Sequence, residues 1–320
     1  MSNKTTVIHH SADFDGLFCR EIAKKFLGTE NVEYIGWDFA DKPLPIPDGK
    51  IYILDLPVDR VFGFTYKSED VDKNPPQHPA GLIWIDHHKS SIETHPKTIP
   101  GYRIDGVAAC RLAWQWFKEM EFRRDANMEM PTLRDFKDRV VDEPLAVRLA
   151  GEYDIWDKRD PNADAFQFGL RSMDLTADIW SRLLDTSIPE ALKGTGMEQT
   201  ESDLICGALL ENGRKLLRYQ REVDASTVNH RSFIVEWEGL KFLTLTTARC
   251  NSLTFDAKDV PETGHDALMA FYYNGTGWSF SLYHAKHRKD LDLSLIASKY
   301  GGGGHRGACG FRMDKIPFLK

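Results

Sequence analysis

Asp86-His87-His88 stands directly behind Gly81-Leu82-Ile83-Trp84-Ile85, an apolar run of strand length. Ionisable groups at the end of a buried strand cost free energy where water is scarce, so this placement points to chemistry and not to stability. Three other stretches share the arrangement. Val7-Ile8 leads into His9, with Asp13 and Asp15 following. Ile51-Tyr52-Ile53-Leu54 leads into Asp55, and Glu152-Tyr153-Asp154 closes a helical run. Carboxylates and imidazoles gathered at strand ends are what a carboxylate-rich divalent-metal site requires.

Within His9-x-x-x-Asp13-x-Asp15-Gly16, three side chains lie on one turn after a strand. Such a loop can aim His9 and Asp13 at one cation and Asp15 at a neighbour, with Gly16 allowing a tight backbone turn. The other role open to Asp13 and Asp15 is helix N-capping. Asp55 can bridge two cations with its two oxygens, or serve as a cap or turn residue. Asp154 competes with Asp157 and Asp160 for its assignment. His10 and Ser11 read as bystanders or supports. His78, His95, His230 and His265 share no motif and read as surface residues.

The elements that must position these groups are legible from periodicity. Strands are expected over 5–10, 31–35, 51–54 and 81–85. Helices are expected from Asp13 to about Leu27, over 106–122, and from Pro144 to near Glu152. Residues 67–79 are polar and proline-rich and read as a loop; 121–142 read as a charged helical excursion. Strands alternating with helices imply a parallel, helix-covered sheet, in which ligands bind beyond the carboxyl ends of the strands. After a long helix-favouring stretch over 198–228 the chain turns β-rich. One hairpin is expected over Glu238-Gly239 and another over Asn274-Gly275. A helix over 293–300 then runs into Gly301-Gly302-Gly303-Gly304. The fold class is therefore α/β: an N-terminal, mainly parallel sheet covered by helices (1–190), a helical linker (191–228), and a smaller C-terminal α/β domain (229–320).

The 320 residues carry 42% hydrophobic and 28% charged side chains, the balance of a globular chain, and no apolar run reaches the length of a membrane span. No signal-peptide pattern is read before the first strand, and five dispersed cysteines without a C-x-x-C pair suit a reducing compartment, so a cytoplasmic location is expected. A net charge of −7 disfavours wrapping of long nucleic acid. It leaves room for a local basic pocket, for which Lys286-His287-Arg288-Lys289 is a candidate lip.

Taken together, His9/Asp13/Asp15, Asp55, Asp86-His87-His88 and Asp154 resemble, in order, the four motifs of the DHH phosphoesterase superfamily. Gly302-Gly303-Gly304-His305 followed by Ala308 and Gly310 resembles the family's DHH-associated domain, and the chain looks similar to the oligoribonuclease and pAp-phosphatase branch. The resemblance covers most of the chain, with 121–144 as an insertion. It implies two divalent metal ions, with Mn²⁺ favoured. His9, Asp13 and Asp55 would hold one; Asp15, Asp55, His87 and Asp154 the other. Asp86 and His88 are implied as catalytic, Asp86 orienting the site and His88 facing the phosphate. Gly302, Gly303, Gly304, His305 and Arg306 are implied as substrate-binding, backbone N–H groups approaching a phosphate where side chains are absent. Two cations about 3.5–4 Å apart can acidify a shared water for in-line attack on phosphorus.

The implied function is hydrolysis of phosphate esters of small nucleotides: a short oligonucleotide, a dinucleotide or a 3′,5′-bisphosphate nucleotide. The alternatives are an inorganic pyrophosphatase or polyphosphatase, and a non-catalytic nucleotide-sensing module. No membrane or long nucleic-acid partner is expected; a homodimer is left open. One departure stands out. Family members often carry Ser-Leu-Arg-Ser before the last helix, where this chain has Ser281-Leu282-Tyr283-His284. Tyr283 could stack on a base or simply pack, and Arg249 or Arg288 could supply the missing charge.

Overall fold

A computed structural model describes residues 4–39, 41–64, 78–125, 142–155 and 159–319. The chain divides into two compact units, 1–216 and 217–320.

The elements of the first unit are β1 (Thr5–His10), α1 (Phe14–Leu27), β2 (Val32–Trp37), β3 (Lys50–Leu54), α2 (Val58–Phe62), β4 (Leu82–Ile85), α3 (Lys89–Thr94), α4 (Ala109–Asp125), α5 (Leu145–Asp154), α6 (Ala163–Leu170) and α7 (Ala177–Leu183). Helices follow β1, β3 and β4, while β2 runs on to β3. Helix α8 (Glu201–Arg231) carries the boundary between the units. The four strands form one wholly parallel sheet in the order β2-β1-β3-β4. Strand alternation sends Ile51 and Ile53 into a cluster with Val58 and Val61 of α2. Tyr52, between them in sequence, meets Phe117 of α4 at 5.4 Å, so the sheet is covered on both faces. Phe26 of α1 stacks on that same Phe117, and Phe18 meets Trp180 of α7 edge-on.

Because the sheet is parallel, all four carboxyl ends lie along one edge. The chain order reverses beside β1, with β2 on one side and β3 on the other, which is where ligands bind in open sheets of this kind. Past β4 no fifth strand follows among the described residues. The segment 100–103 runs along it instead, with Trp84 N donating to Pro100 O (2.8 Å), Asp86 N to Tyr102 O (3.1 Å), and Asp86 bridged to Arg103. The backbone of Asp86 is thereby fixed.

The second unit holds β5 (Phe233–Trp237), β6 (Leu240–Thr246), β7 (Ala267–Tyr273), β8 (Trp278–His284), α9 (Ser294–Lys299), β9 (Gly303–His305) and β10 (Ala308–Met313). These form a mixed sheet in the order β5-β6-β7-β8-β10-β9, parallel only between β6 and β7. Glu238 and Gly239 turn the first hairpin with φ of 53° and 76°, the double left-handed turn that suits the strand twist. Phe242, Met269, Phe280 and Phe311 make the core on one face, and Val228 of α8 with Leu243, Leu245 and Phe255 on the other.

The glycine run leads from α9 into a strand. Gly303–His305 is a short edge strand, antiparallel to β10. A Cβ on Gly302 would stand 2.1 Å from Gly310 O, and one on Gly304, whose φ is +130°, 2.7 Å from Cys309 Cα. Close approach to β10 therefore requires two of the glycines, and Gly301 (φ +74°) follows α9, its N–H donating to Ser298 O.

Some expectations of the sequence change. His95 and His265 are buried, not surface residues: His95 Nε2 pairs with Asp59 Oδ1 at 3.0 Å and His265 Nε2 with Asp259 Oδ1 at 2.9 Å. Residues 126–141 of the charged excursion, 67–77 of the proline-rich loop, and Trp156 and Asp157 lie outside the described residues. Among the described residues no helix is long and apolar enough to cross a membrane.

Candidate metal centre

Each site residue is delivered by the end of an element. The chain leaves β1 at His10, and Asp13 then caps α1, its carboxylate accepting from Gly16 N at 3.0 Å. Gly16 is required by close approach: a Cβ there would fall 2.2 Å from His10 O. Asp15, in the first turn of α1, accepts from Ala109 N (2.9 Å) and Cys110 N (2.8 Å), 94 and 95 residues away at the start of α4. Both aspartates thus cap helices, and both still face the site. Asp55 follows β3 with φ of 60°, a conformation that costs most side chains energy and re-aims this one. Asp154 is the last residue of α5.

Asp55 sits at the centre. Its Oδ2 lies 3.5 Å from His10 Nδ1, which is itself 3.0 Å from Asp13 Oδ2. Its Oδ1 lies 3.4 Å from His87 Nε2 and 3.9 Å from His88 Nδ1. His87 Nε2 is also 3.3 Å from Asp154 Oδ2 and 3.8 Å from Asp15 Oδ2. Three groups, His10/Asp13/Asp55, Asp55/His87/His88 and Asp15/His87/Asp154, bring ligand atoms within 4.8 Å of one another. Asp86 does not join them. Its Oδ1 accepts from the backbone His87 N (2.8 Å) and pairs with His88 Nδ1 (2.7 Å), so it holds the His87 backbone and orients the His88 imidazole.

The family resemblance implied His9 as a ligand of the first cation, and His10 read as a bystander or support. The structure brings His10, and not His9, beside Asp13 and Asp55. Successive strand residues point to opposite faces, so only one of them can meet Asp13 and Asp55. The His9 ring lies beside Gly36 of β2, with Nδ1 2.8 Å from His10 O. Burial lowers its pKa to about 4, as suits a neutral buried ring. Sequence reasoning also missed Asp38, whose Oδ1 is 3.4 Å from His10 Nε2. A carboxylate behind a ligating imidazole is how such rings are commonly oriented. The signal was present: Asp38 follows β2, a further acid just past a strand end. Asp160, the competitor of Asp154, serves a turn, accepting from Asn162 N.

Charge is poorly balanced in this cluster. Burial would lower the His10 pKa, but the carboxylates of Asp13 and Asp55 outweigh it and push it up to about 11. Burial, then repulsion from Asp55, pushes Asp15 up to about 7. Burial and the charge of Asp15 raise Asp154 well above the usual carboxylate range. Against its burial, Asp55 is held low by His10 and His87. Despite these contacts, both His10 ring nitrogens and Asp55 Oδ1 are buried without a hydrogen-bond partner of good geometry. Unsatisfied buried polar atoms inside an anion-rich cluster fit a divalent-cation site.

Two expected results follow. His10→Ala weakens Mn²⁺ binding by at least about tenfold in a calorimetric titration, whereas His9→Ala leaves the affinity near that of the native chain; equal losses would return the first ligand to His9. The second concerns pH. Asp15 and His10 hold protons more tightly folded than unfolded. The metal-free fold therefore loses stability as pH rises from about 4 through 7 for Asp15, and above 6.5 for His10. Bound cations replace those protons. Melting curves should show Mn²⁺ raising Tm more at pH 8 than at pH 5.5; a pH-independent increment would contradict this.

In the second unit, Arg306 donates to the carbonyls of Asp290 (2.7 Å) and Leu291 (3.4 Å). Tyr283 packs, its hydroxyl donating to Cys250 O at 2.8 Å, and His284 Nε2 lies 2.8 Å from Leu291 O. Three residues of the basic run are likewise engaged. Lys286 pairs with Asp256, Arg288 with Asp266 and Asp290, and His287 Nε2 lies 2.9 Å from His265 O. Asp259, His265 and His287 also approach one another closely. However, Asp259 accepts from Lys286 N and pairs with His265, and these bonds make the trio a clamp between loops.

No protein-family model matches the chain. The uncharacterized protein R106 of Acanthamoeba polyphaga mimivirus is 24% identical over 255 residues, 75% of this chain and 50% of that protein. The chain thus spans about half the length of the curated relative it matches. Among solved structures, the exonuclease RecJ bound to manganese is similar with a TM-score of 0.45 and 13% identity, over 98% of this chain and 86% of that one. The pGpG-specific phosphodiesterase PggH of Vibrio cholerae is similar with a TM-score of 0.39 and 16% identity, over 97% and 93%. Likenesses this distant assign no chemistry, which the residues themselves must supply.

Proposed function

We propose that the chain is a metal-dependent phosphoesterase of the DHH type, acting on small phosphorylated nucleotides. The observation that carries this is Asp55, whose two oxygens face two separate groups of ligands. His10, Asp13 and Asp55 would hold one divalent cation, and Asp15, Asp55, His87 and Asp154 a second. Two such cations, when bound, acidify a shared water and offset charge on phosphoryl oxygens. Mn²⁺ suits a mixed carboxylate and imidazole set. Asp86 fixes the His88 ring through Nδ1, and Nε2 would be the nitrogen that meets a phosphoryl oxygen. A donor held in place before reaction stabilises developing charge without reorganisation. In the second unit, the exposed edge strand Gly303–His305, with Gly302 and Arg306 beside it, is the proposed substrate contact. Gly303 has open space where a Cβ would stand.

The test is Mn²⁺-dependent cleavage of a 5′-phosphorylated RNA dinucleotide, with pyrophosphate run in parallel. Mononucleotide release supports the nucleotide reading. Phosphate release from pyrophosphate alone replaces it with a pyrophosphatase. Binding of the dinucleotide without turnover of either compound makes the chain a sensing module.

A further inference from the structure

Phe39 is a large apolar residue that the fold does not bury: 51% of its surface is exposed. It stands on the rim of the metal centre. Its ring centroid is 5.6 Å from that of His10 and 6.5 Å from that of His88, both edge-to-face, and 5.7 Å from that of Trp37. The ring touches a residue from each of two strand ends that build the site, so it cannot be a remote surface residue.

The backbone beneath it is fixed. Asp38 Oδ1 accepts from Phe39 N at 2.7 Å, Asp38 N donates to Asp41 Oδ2 at 2.8 Å, and Asp41 N donates to Asp38 O at 2.8 Å. The same Asp38 carboxylate reaches His10, so the turn that orients the imidazole also sets the phenyl ring. A half-exposed aromatic ring beside a dense group of charges adds little to the core and offers no ligand atom to a cation. A flat apolar partner that arrives with a phosphate group explains both its type and its place.

We propose that Phe39 is a specificity-determining residue that stacks on the nucleobase next to the phosphate being hydrolysed. This rests on the phosphoesterase reading for its substrate class, but its own test is a binding measurement. Stacking is tolerant of base identity, because every base presents a π-face. The residue therefore selects nucleotides over pyrophosphate or polyphosphate and discriminates weakly among bases.

The experiment is equilibrium dialysis, with Mn²⁺ present, of a phosphorothioate-linked diadenosine that resists cleavage. Its abasic counterpart, with ribose alone on both sides of the phosphate, serves as the control. Phe39→Ala is expected to weaken diadenosine binding about tenfold, the effect of one lost stacking contact, and to leave the abasic compound unchanged. Phe39→Trp restores the affinity. Equal weakening of both ligands, or no effect on either, overturns the proposal, as does absence of diadenosine binding to the native chain. Phe39-dependent binding without hydrolysis of any dinucleotide keeps the stacking role and removes the enzymatic reading, so the two failures are separable. Mn²⁺ affinity, measured alongside, should be the same in Phe39→Ala; a drop would make Phe39 a support for His10 instead.

Discussion

Asp55→Asn abolishes hydrolysis of the dinucleotide, lowering kcat by about a thousandfold or more, a loss of about 4 kcal/mol in transition-state stabilisation. The size follows from position. Asp55 is the residue shared by both ligand groups, one oxygen toward His10 and the other toward His87. An amide keeps the shape but has no charge and only one acceptor oxygen, so it cannot serve both sides. The fold should tolerate the change. Asn accepts the left-handed backbone that Asp55 adopts at φ of 60° at least as readily as Asp, and one charge leaves a cluster already rich in anions. Circular dichroism should be unchanged and Mn²⁺ binding strongly reduced. Full activity in this variant would sink the two-cation scheme.

Arg111→Ala is the largest expected loss of stability, about 3–5 kcal/mol. Arg111 Nε lies 3.0 and 3.1 Å from the two carboxylate oxygens of Glu143, and one terminal nitrogen lies 2.7 Å from Oε1, with both side chains buried. The pair ties the first turn of α4, whose amides hold Asp15, to the entry of α5, which carries Asp154. Burial raises the Glu143 pKa even beside Arg111. Without the guanidinium the carboxylate is left buried and unpaired. Its folded pKa then rises further above the unfolded value, so the destabilisation grows as pH increases above about 4.5. Urea unfolding at pH 5 and pH 8 measures both parts. The double variant Arg111→Leu with Glu143→Leu removes both charges and should recover much of the loss. A single variant as stable as the native chain would show that the pair contributes nothing to holding α4 against the entry of α5.

How much of this could be read from the sequence depends on the range over which each feature is decided. The apolar runs before Asp55 and Asp86 are local statements, since a buried strand announces itself by composition, and an acid directly after it must lie at the strand's carboxyl end. The same logic placed Asp13 and Asp15 just beyond β1. Parallel pairing followed from strands separated by helices, and with it the gathering of strand ends along one edge of the sheet.

What the sequence could not decide is which of two adjacent histidines faces that edge. His9 and His10 are chemically equivalent, and the choice is made by strand register against β2 and β3. The partners of Asp15 lie 94 and 95 residues downstream, and no local pattern announces a cap supplied from another element. The burial of His265 needed Asp259 and the turn at Lys286 to be brought together by tertiary structure. The glycine run is the sharpest case. A sequence shows that side chains are absent but not what takes their space, and at Gly302 and Gly304 the space belongs to β10. Residue type and spacing therefore determined that a charged centre exists at the strand ends. Which side chains meet there, what supports them and which ring stands on the rim were decided by the faces the packed elements turn toward one another.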